Sequence, residues 1–165
     1  MPNFSFDIVS EVNKAETTNV LDQTKRELNS RYDLKGTSAA IEWLDDNHSG
    51  YKITADSDFQ IDAILDIIRR KLSSRDLSQK LIDVSKDPVV SGFKATKEVP
   101  FQAGIDQTKA KELQKNIRDS FPKIKSQIIG ESVRISSSSK DELQSVIKLI
   151  RGQELDYPIQ ITNFR

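Results

Sequence analysis

The chain contains no cysteine, and this one absence removes disulfides, thiolate nucleophiles and cysteine-based zinc sites together. A reducing compartment is the natural setting. Net charge is also missing, since 25 Lys and Arg balance 25 Asp and Glu, and the sequence pI of about 6.6 lies far below that of a basic nucleic-acid binder. Tight, sequence-blind attachment to nucleic acid is therefore disfavoured, and only a local cationic patch is left open. No apolar run approaches the roughly 18 residues that cross a bilayer. The opening "MPNFSFDIVSEV" lacks the basic region and apolar core of a secretory signal, so a cytoplasmic protein without a membrane role is expected. Aromatics make up only 7% of the chain, which limits base stacking as a general strategy.

What is present suffices for a globular core: 165 residues, 36% of them apolar, can form one ordinary domain or two very small ones. In "NFSFDIVSEV" Phe4, Phe6, Ile8 and Val12 fall on one side and Ser5, Asp7 and Glu11 on the other, the period-two pattern of a half-buried strand. From Glu16 to Tyr32, Leu21, Thr24, Leu28 and Tyr32 recur at helical spacing. "SAAIEWLDDNHSGYKITA" reads as two strands around a polar turn. A helix follows in "SDFQIDAILDIIRRKL", where Ser57 and Gln60 form a capping box, Gln60 reaching back to the N–H of Ser57. Ile61, Ile64, Leu65 and Ile68 form its apolar stripe, and Arg69, Arg70 and Lys71 complement the negative end of its dipole. "QKLIDVSKDP" is expected to supply one more strand before Pro88.

The same order then begins again with the strand "GFKATKEV", a helix carrying Leu113, Ile117 and Phe121, and a hairpin turning near Gly130. "SSSKDELQSVIKLIRG" supplies the next helix and "PIQITNF" the closing strand. Ser139 and Glu142 repeat the capping box 82 residues after Ser57 and Gln60. The same offset relates Ile53 to Ile135, Leu65 to Ile147, Ile68 to Ile150 and Arg69 to Arg151. The chain thus reads as α+β, two tandem ferredoxin-like βαββαβ repeats over residues 1–90 and 91–165, each with an antiparallel sheet covered by two helices on one face. The opposite face is left for binding.

Six segments, "SFDIVSEV", "SRYDLKG", "SDFQIDAILDIIRRKL", "QIIGESVRI", "SKDELQSVIKLIRG" and "IQITNFR", together resemble the YajQ-like family of small bacterial proteins, from Ser5 to Arg165. The resemblance implies that the first strands are exchanged between halves, residues 4–12 pairing in the second sheet and 92–99 in the first. It also implies a nucleotide-binding protein whose ligand is RNA or a guanine-type nucleotide, cyclic dinucleotides included.

Alternation along the strands turns Lys52 and Thr54 away from the core face of Tyr51 and Ile53, and Arg134 and Ser136 away from Val133 and Ile135. In the last strand Gln160, Thr162 and Phe164 are candidates for the open face. Arg31, Lys35, Lys52, Lys94, Arg134 and Arg165 are the candidate phosphate contacts, a guanidinium being suited to grip phosphate through two hydrogen bonds. "SRYDLKG" also has a purely structural reading, as a helix end with Gly36 at the exit, Arg31 and Lys35 near the last carbonyls and Tyr32 packed beneath.

His48 in a polar turn reads as a solvated residue, Asp45 and Asp46 as solvated charges, and Trp43 as core. The serines 136–139 lack the glycines and lysine of a P-loop. No nucleophile-and-base pair or metal-ligand spacing stands out, so a non-enzymatic protein without a cofactor is expected. A protein-interaction adaptor in regulation, with weak or no nucleotide binding, is the alternative.

Overall fold

The computed structural model describes residues 3–153 and 155–165. In chain order the elements are β1 (Phe4–Val9), α1 (Lys14–Ser30), β2 (Ala40–Trp43), β3 (Gly50–Ala55), α2 (Asp58–Ser74), β4 (Val89–Ser91) and β5 (Lys94–Pro100). They continue with α3 (Gln107–Ser120), β6 (Lys125–Ile129), β7 (Ser132–Ser137), α4 (Lys140–Gly152) and β8 (Gln160–Thr162). None of the helices is long and apolar enough to cross a membrane among the described residues.

Two compact units result. A continuous unit spans Val12–Gln102, and a split unit joins the residues up to Glu11 with Ala103–Arg165. Each holds a four-stranded antiparallel sheet, in the order β4-β5-β3-β2 in the continuous unit and β8-β1-β7-β6 in the split one. Both orders are ferredoxin-like. Each sheet takes one central strand from across the sequence repeat: β1 pairs with β7 and β8, while β5 pairs with β3 and β4.

Alternation is the reason the helices cover one face only. In the continuous unit Ile41, Tyr51, Ile53, Ala55, Ala95 and Val99 form one core with α1 residues Val20, Leu21 and Leu28 and α2 residues Ile61, Ile64, Leu65 and Ile68. In the split unit Phe6, Ile8, Val133 and Ile135 meet Leu113 and Ile117 of α3 and Leu143, Val146 and Ile150 of α4. Each fully buried Ile, Leu or Phe contributes about 1.5–3 kcal/mol by leaving water, so either core outweighs any single surface contact. Tyr51, at the centre of its core, donates its hydroxyl to the Thr17 carbonyl at 2.6 Å, and burial pushes its ionisation far upward.

The caps work by variations on the expected box. Ser57 accepts from the Gln60 N–H at 3.4 Å, but Gln60 Oε1 accepts from the Asp56 N–H at 2.9 Å, one residue before the cap. In α4, Ser139 accepts from the Glu142 N–H, and Ser137 completes a relay by accepting from the Ser139 N–H and donating to Glu142. Cations near the end of α2 reach another helix: Arg70 and Lys71 both grip Glu27 of α1, at 2.8 and 3.0 Å.

Four local expectations are corrected. The segment before Pro88 is a 3-10 turn at Gln79–Leu81 followed by one bridge, Ile82 to Phe101, and the strand begins after the proline, at Val89. Proline cannot donate to a ladder, which places the start of pairing beyond it. Val12 is no part of β1, which ends at Val9, and packs against the core of the continuous unit. Tyr32 is 99% exposed, and the residue buried beneath the α1 exit is Leu34. The fourth concerns Phe164. It stacks on buried Phe6 with ring centroids 5.6 Å apart, so it belongs to the core side of the sheet. The reason is an extra residue in the last strand: Asp7 pairs with Thr162, yet Ser5 exchanges both backbone hydrogen bonds with Arg165, and Asn163 between them has φ +58°. Such a bulge reverses which side chains face the core.

Candidate functional site

On the helix-free face of the split unit, β-register sets out two rows. One runs Gln127, Arg134, Asp7, Thr162, and its neighbour runs Lys125, Ser136, Ser5 and, through the bulge, Arg165. Asp7 is the centre of this surface and is only 9% exposed. Arg134 grips it with Nε 3.0 Å from Oδ1 and Nη2 3.4 Å from Oδ2, and Asn163 donates its amide to Oδ2 at 3.0 Å. The Arg134 hydrogen bond holds the Asp7 carboxyl below its ordinary value against the opposing effect of burial, with Asn163 and the Arg165 charge adding to it. A buried charge is tolerated when paired and hydrogen-bonded in this way.

The consequence is a fixed guanidinium. Arg134 spends Nε and one Nη2 hydrogen on Asp7, and no other protein partner meets its remaining N–H groups among the described residues. Those groups can donate to an anion above the sheet in the forked geometry that suits phosphate. This face brings strand residues Lys125 and Arg134, with Arg165 beyond the bulge, against one carboxylate, Asp7. At its edge Lys123 and Lys125 line a shallow depression with Asn3 and the hydroxyl-bearing Ser136, Ser137 and Ser138.

The corresponding face of the continuous unit is balanced in charge. Lys52 sits directly between Glu42 on β2 and Glu98 on β5, and Glu98 is also bound by Lys86 at 2.8 Å. Lys94 lies four positions before Glu98 at the start of β5, opposite Ser91. Arg31 and Lys35 are on neither sheet. They belong to the exit of α1, where Arg31 holds Asp33 through two hydrogen bonds of 2.9 and 2.8 Å.

Of the six residues expected to contact phosphate, the structure brings Arg134 and Arg165 together on one face, Lys52 and Lys94 on a second, and Arg31 and Lys35 on one loop. Sequence reasoning missed Asp7, Asn163, Lys123 and Lys125. Asp7 alternates with Phe6 and Ile8 in the strand pattern, a signal of facing but not of partnership. Asn163 in a positive-φ position had only its residue type to announce it.

Trp43 is half-buried, stacking on Tyr51 at 5.6 Å and on exposed His48 at 4.1 Å, which removes both from consideration as free groups. No group of three or more potential metal ligands occurs among the described residues.

A paired ferredoxin-like fold with a strand exchanged each way and one cation-rich sheet face defines the class. The chain belongs to the family described as nucleotide-binding protein YajQ-like, whose model matches residues 4–165. A relative named nucleotide-binding protein from Prochlorococcus marinus is 43% identical over 165 residues, covering 99% of this chain and 98% of its own. Relatives with the same description from Nocardioides and Klebsiella pneumoniae are each 42% identical, over 166 and 161 residues, covering 100% and 98% of both chains respectively.

Proposed function

We propose that this protein is a cytoplasmic, non-enzymatic nucleotide-binding protein that holds the phosphates of its ligand on the helix-free face of the split unit. The observation that carries this reading is the Asp7-clamped guanidinium of Arg134 beside Arg165 and Lys125. The names of its relatives supply the ligand class, and RNA or a guanine-type nucleotide, cyclic dinucleotides included, is the narrower reading. The strand positions of this face present no aromatic ring outward, so contact through phosphate rather than through stacked bases is favoured there.

A thermal-shift panel of mono-, di- and cyclic nucleotides and short RNA tests it, because a ligand that prefers the native state raises apparent stability by mass action. Arg134→Glu should abolish the shift. A flat response of the unaltered protein to the whole panel would defeat the reading.

An adaptor role is the second reading, favoured by the exposed Val89 and Val90 on the edge strand β4. A partner retained at high salt while no nucleotide binds would select it, since phosphate contacts weaken steeply with salt.

A further inference from the structure

Three large aromatic rings in the continuous unit are almost fully exposed: Tyr32 at 99%, Phe59 at 82% and Phe93 at 96%. Topology puts all three at the same end of that unit's sheet. Strand β3 ends at Ala55 and leads directly into α2, whose first turn carries Phe59. Ala55 pairs with Ala95 near the start of β5, so the β4–β5 hairpin tip with Phe93 lies at this end. Ala40 at the start of β2 pairs with Thr54, which brings the 31–39 segment carrying Tyr32 to it as well. Ser38 joins this segment to the β3–α2 connection, donating its hydroxyl and its N–H to Asp56.

These rings stand on ordered supports. In the Tyr32 loop Arg31 clamps Asp33, Leu34 is buried, Thr37 donates to the Leu34 carbonyl at 2.6 Å, and Gly36 takes the positive φ that closes the turn. Phe59 follows a capped helix start and Phe93 a hairpin turn at Gly92. An exposed ring on a fixed support gains contact area on binding at little cost in ordering.

The charges decide the occupant. Three carboxylates at this end have local roles: Asp33 pairs with Arg31, Asp56 accepts from Ser38, and Asp58 lies in the first turn of α2, where the helix dipole favours it. Lys35 and Lys94 have no ion-pair or hydrogen-bond partner among the described side chains. Uncommitted ammonium groups interleaved with bare rings match a chain of stacked bases and phosphates.

We infer that this end of the continuous unit is a platform for single-stranded nucleic acid, with Tyr32, Phe59 and Phe93 stacking bases and Lys35 and Lys94 meeting phosphates. The inference rests on the nucleotide-binding reading and narrows it. A mononucleotide has one base to offer and leaves two rings unused, whereas a strand of several nucleotides can engage all three.

The test is fluorescence polarisation with a labelled eight-nucleotide single-stranded RNA and, in parallel, binding of a nucleoside monophosphate. Tyr32→Ala, Phe59→Ala and Phe93→Ala should each weaken the oligonucleotide about five- to hundredfold, the range for loss of one stacked base, while leaving the monophosphate unaffected. Tyr32→Phe, which keeps the ring, should restore strand binding. Far-UV circular dichroism confirms that each variant is folded. Equal oligonucleotide affinity for the unaltered protein and all three alanine variants overturns the platform and leaves the Arg134 face standing. Loss of a protein partner with strand binding intact also overturns it, by assigning the rings to a protein interface. Failure of the unaltered protein to bind any nucleotide or strand overturns the platform together with the nucleotide-binding reading on which it rests.

Discussion

Asp7 on β1 and Arg134 on β7 face each other across the central strands of the split unit's sheet, 127 residues apart in sequence and 3.0 Å apart from Oδ1 to Nε. The pair has two roles. It satisfies a buried carboxylate, and it fixes the plane of the guanidinium that the proposed ligand meets.

Asp7→Asn should cost roughly 1.5–3 kcal/mol, the range for a hydrogen bond to a charged group, when unfolding is followed in urea at neutral pH. The folded carboxyl is held below its ordinary value of 3.8. A depressed folded pKa gives stability that is complete above the unfolded value and is lost as pH falls through the folded one. The difference between unaltered protein and variant should therefore be constant near neutrality and shrink in acid, below the ordinary value. A gap that widens in acid contradicts the assignment.

Arg134 and Lys52 should behave differently toward ligand although both project from helix-free faces. Lys52 lies between two glutamates in register, whose charges offset its own. Lys52→Ala is expected to change nucleotide affinity less than about twofold, whereas Arg134→Ala should also lower the slope of log affinity against log salt by about one. Isothermal titration at several salt concentrations separates the two, and equal losses would show that the cation-rich face is not the preferred one.

Gly50 opens β3 opposite Pro100, and a Cβ placed there would come within 2.5 Å of both the Pro100 Cα and the Val99 carbonyl oxygen. Backbone cannot yield as a side chain does. Gly50→Ala should lower stability by roughly 1–3 kcal/mol, as overpacking typically does, and thermal denaturation measures it. An unchanged melting temperature would mean that the β3–β5 register differs from the one described.

Leu34 and Tyr32 offer a contrast within three residues. Leu34→Ala removes a side chain that is 3% exposed and should cost roughly 2–5 kcal/mol. Tyr32→Ala removes a larger side chain that touches almost nothing and should change stability by less than about 0.5 kcal/mol. Chemical denaturation of the two variants would reverse this order if the tyrosine were the anchor.

The period-two strands, capped helices and 82-residue repeat were legible because each depends on local pattern. Ile53 and Ile135, or Leu65 and Ile147, are buried at equivalent places for the same reason in both repeats. Features that depend on a single inserted residue were not legible. The bulge at Asn163 turned Phe164 inward and set Arg165 outward, against a simple alternation count. Pattern also misjudged Tyr32, because helical spacing projected past the last turn says nothing once the backbone leaves the helix at Arg31. Of the candidate face, the sequence pattern singles out Arg134 and Arg165. It missed the acid that orients one of them, since a lone aspartate in a strand looks like any solvated charge.

Exchanging β1 and β5 has a consequence for how the molecule is made. Strand β1 has both of its neighbours, β7 and β8, encoded far downstream, so it waits unpaired while the intervening unit gathers its own core. During that interval an apolar edge carrying Phe4, Phe6 and Ile8 is available to strangers. The vulnerable interval lasts until β7 and β8 have been made, roughly 8–30 s later at about 5–20 residues per second, a wait that a simple end-to-end tandem of the same two sheets would not impose.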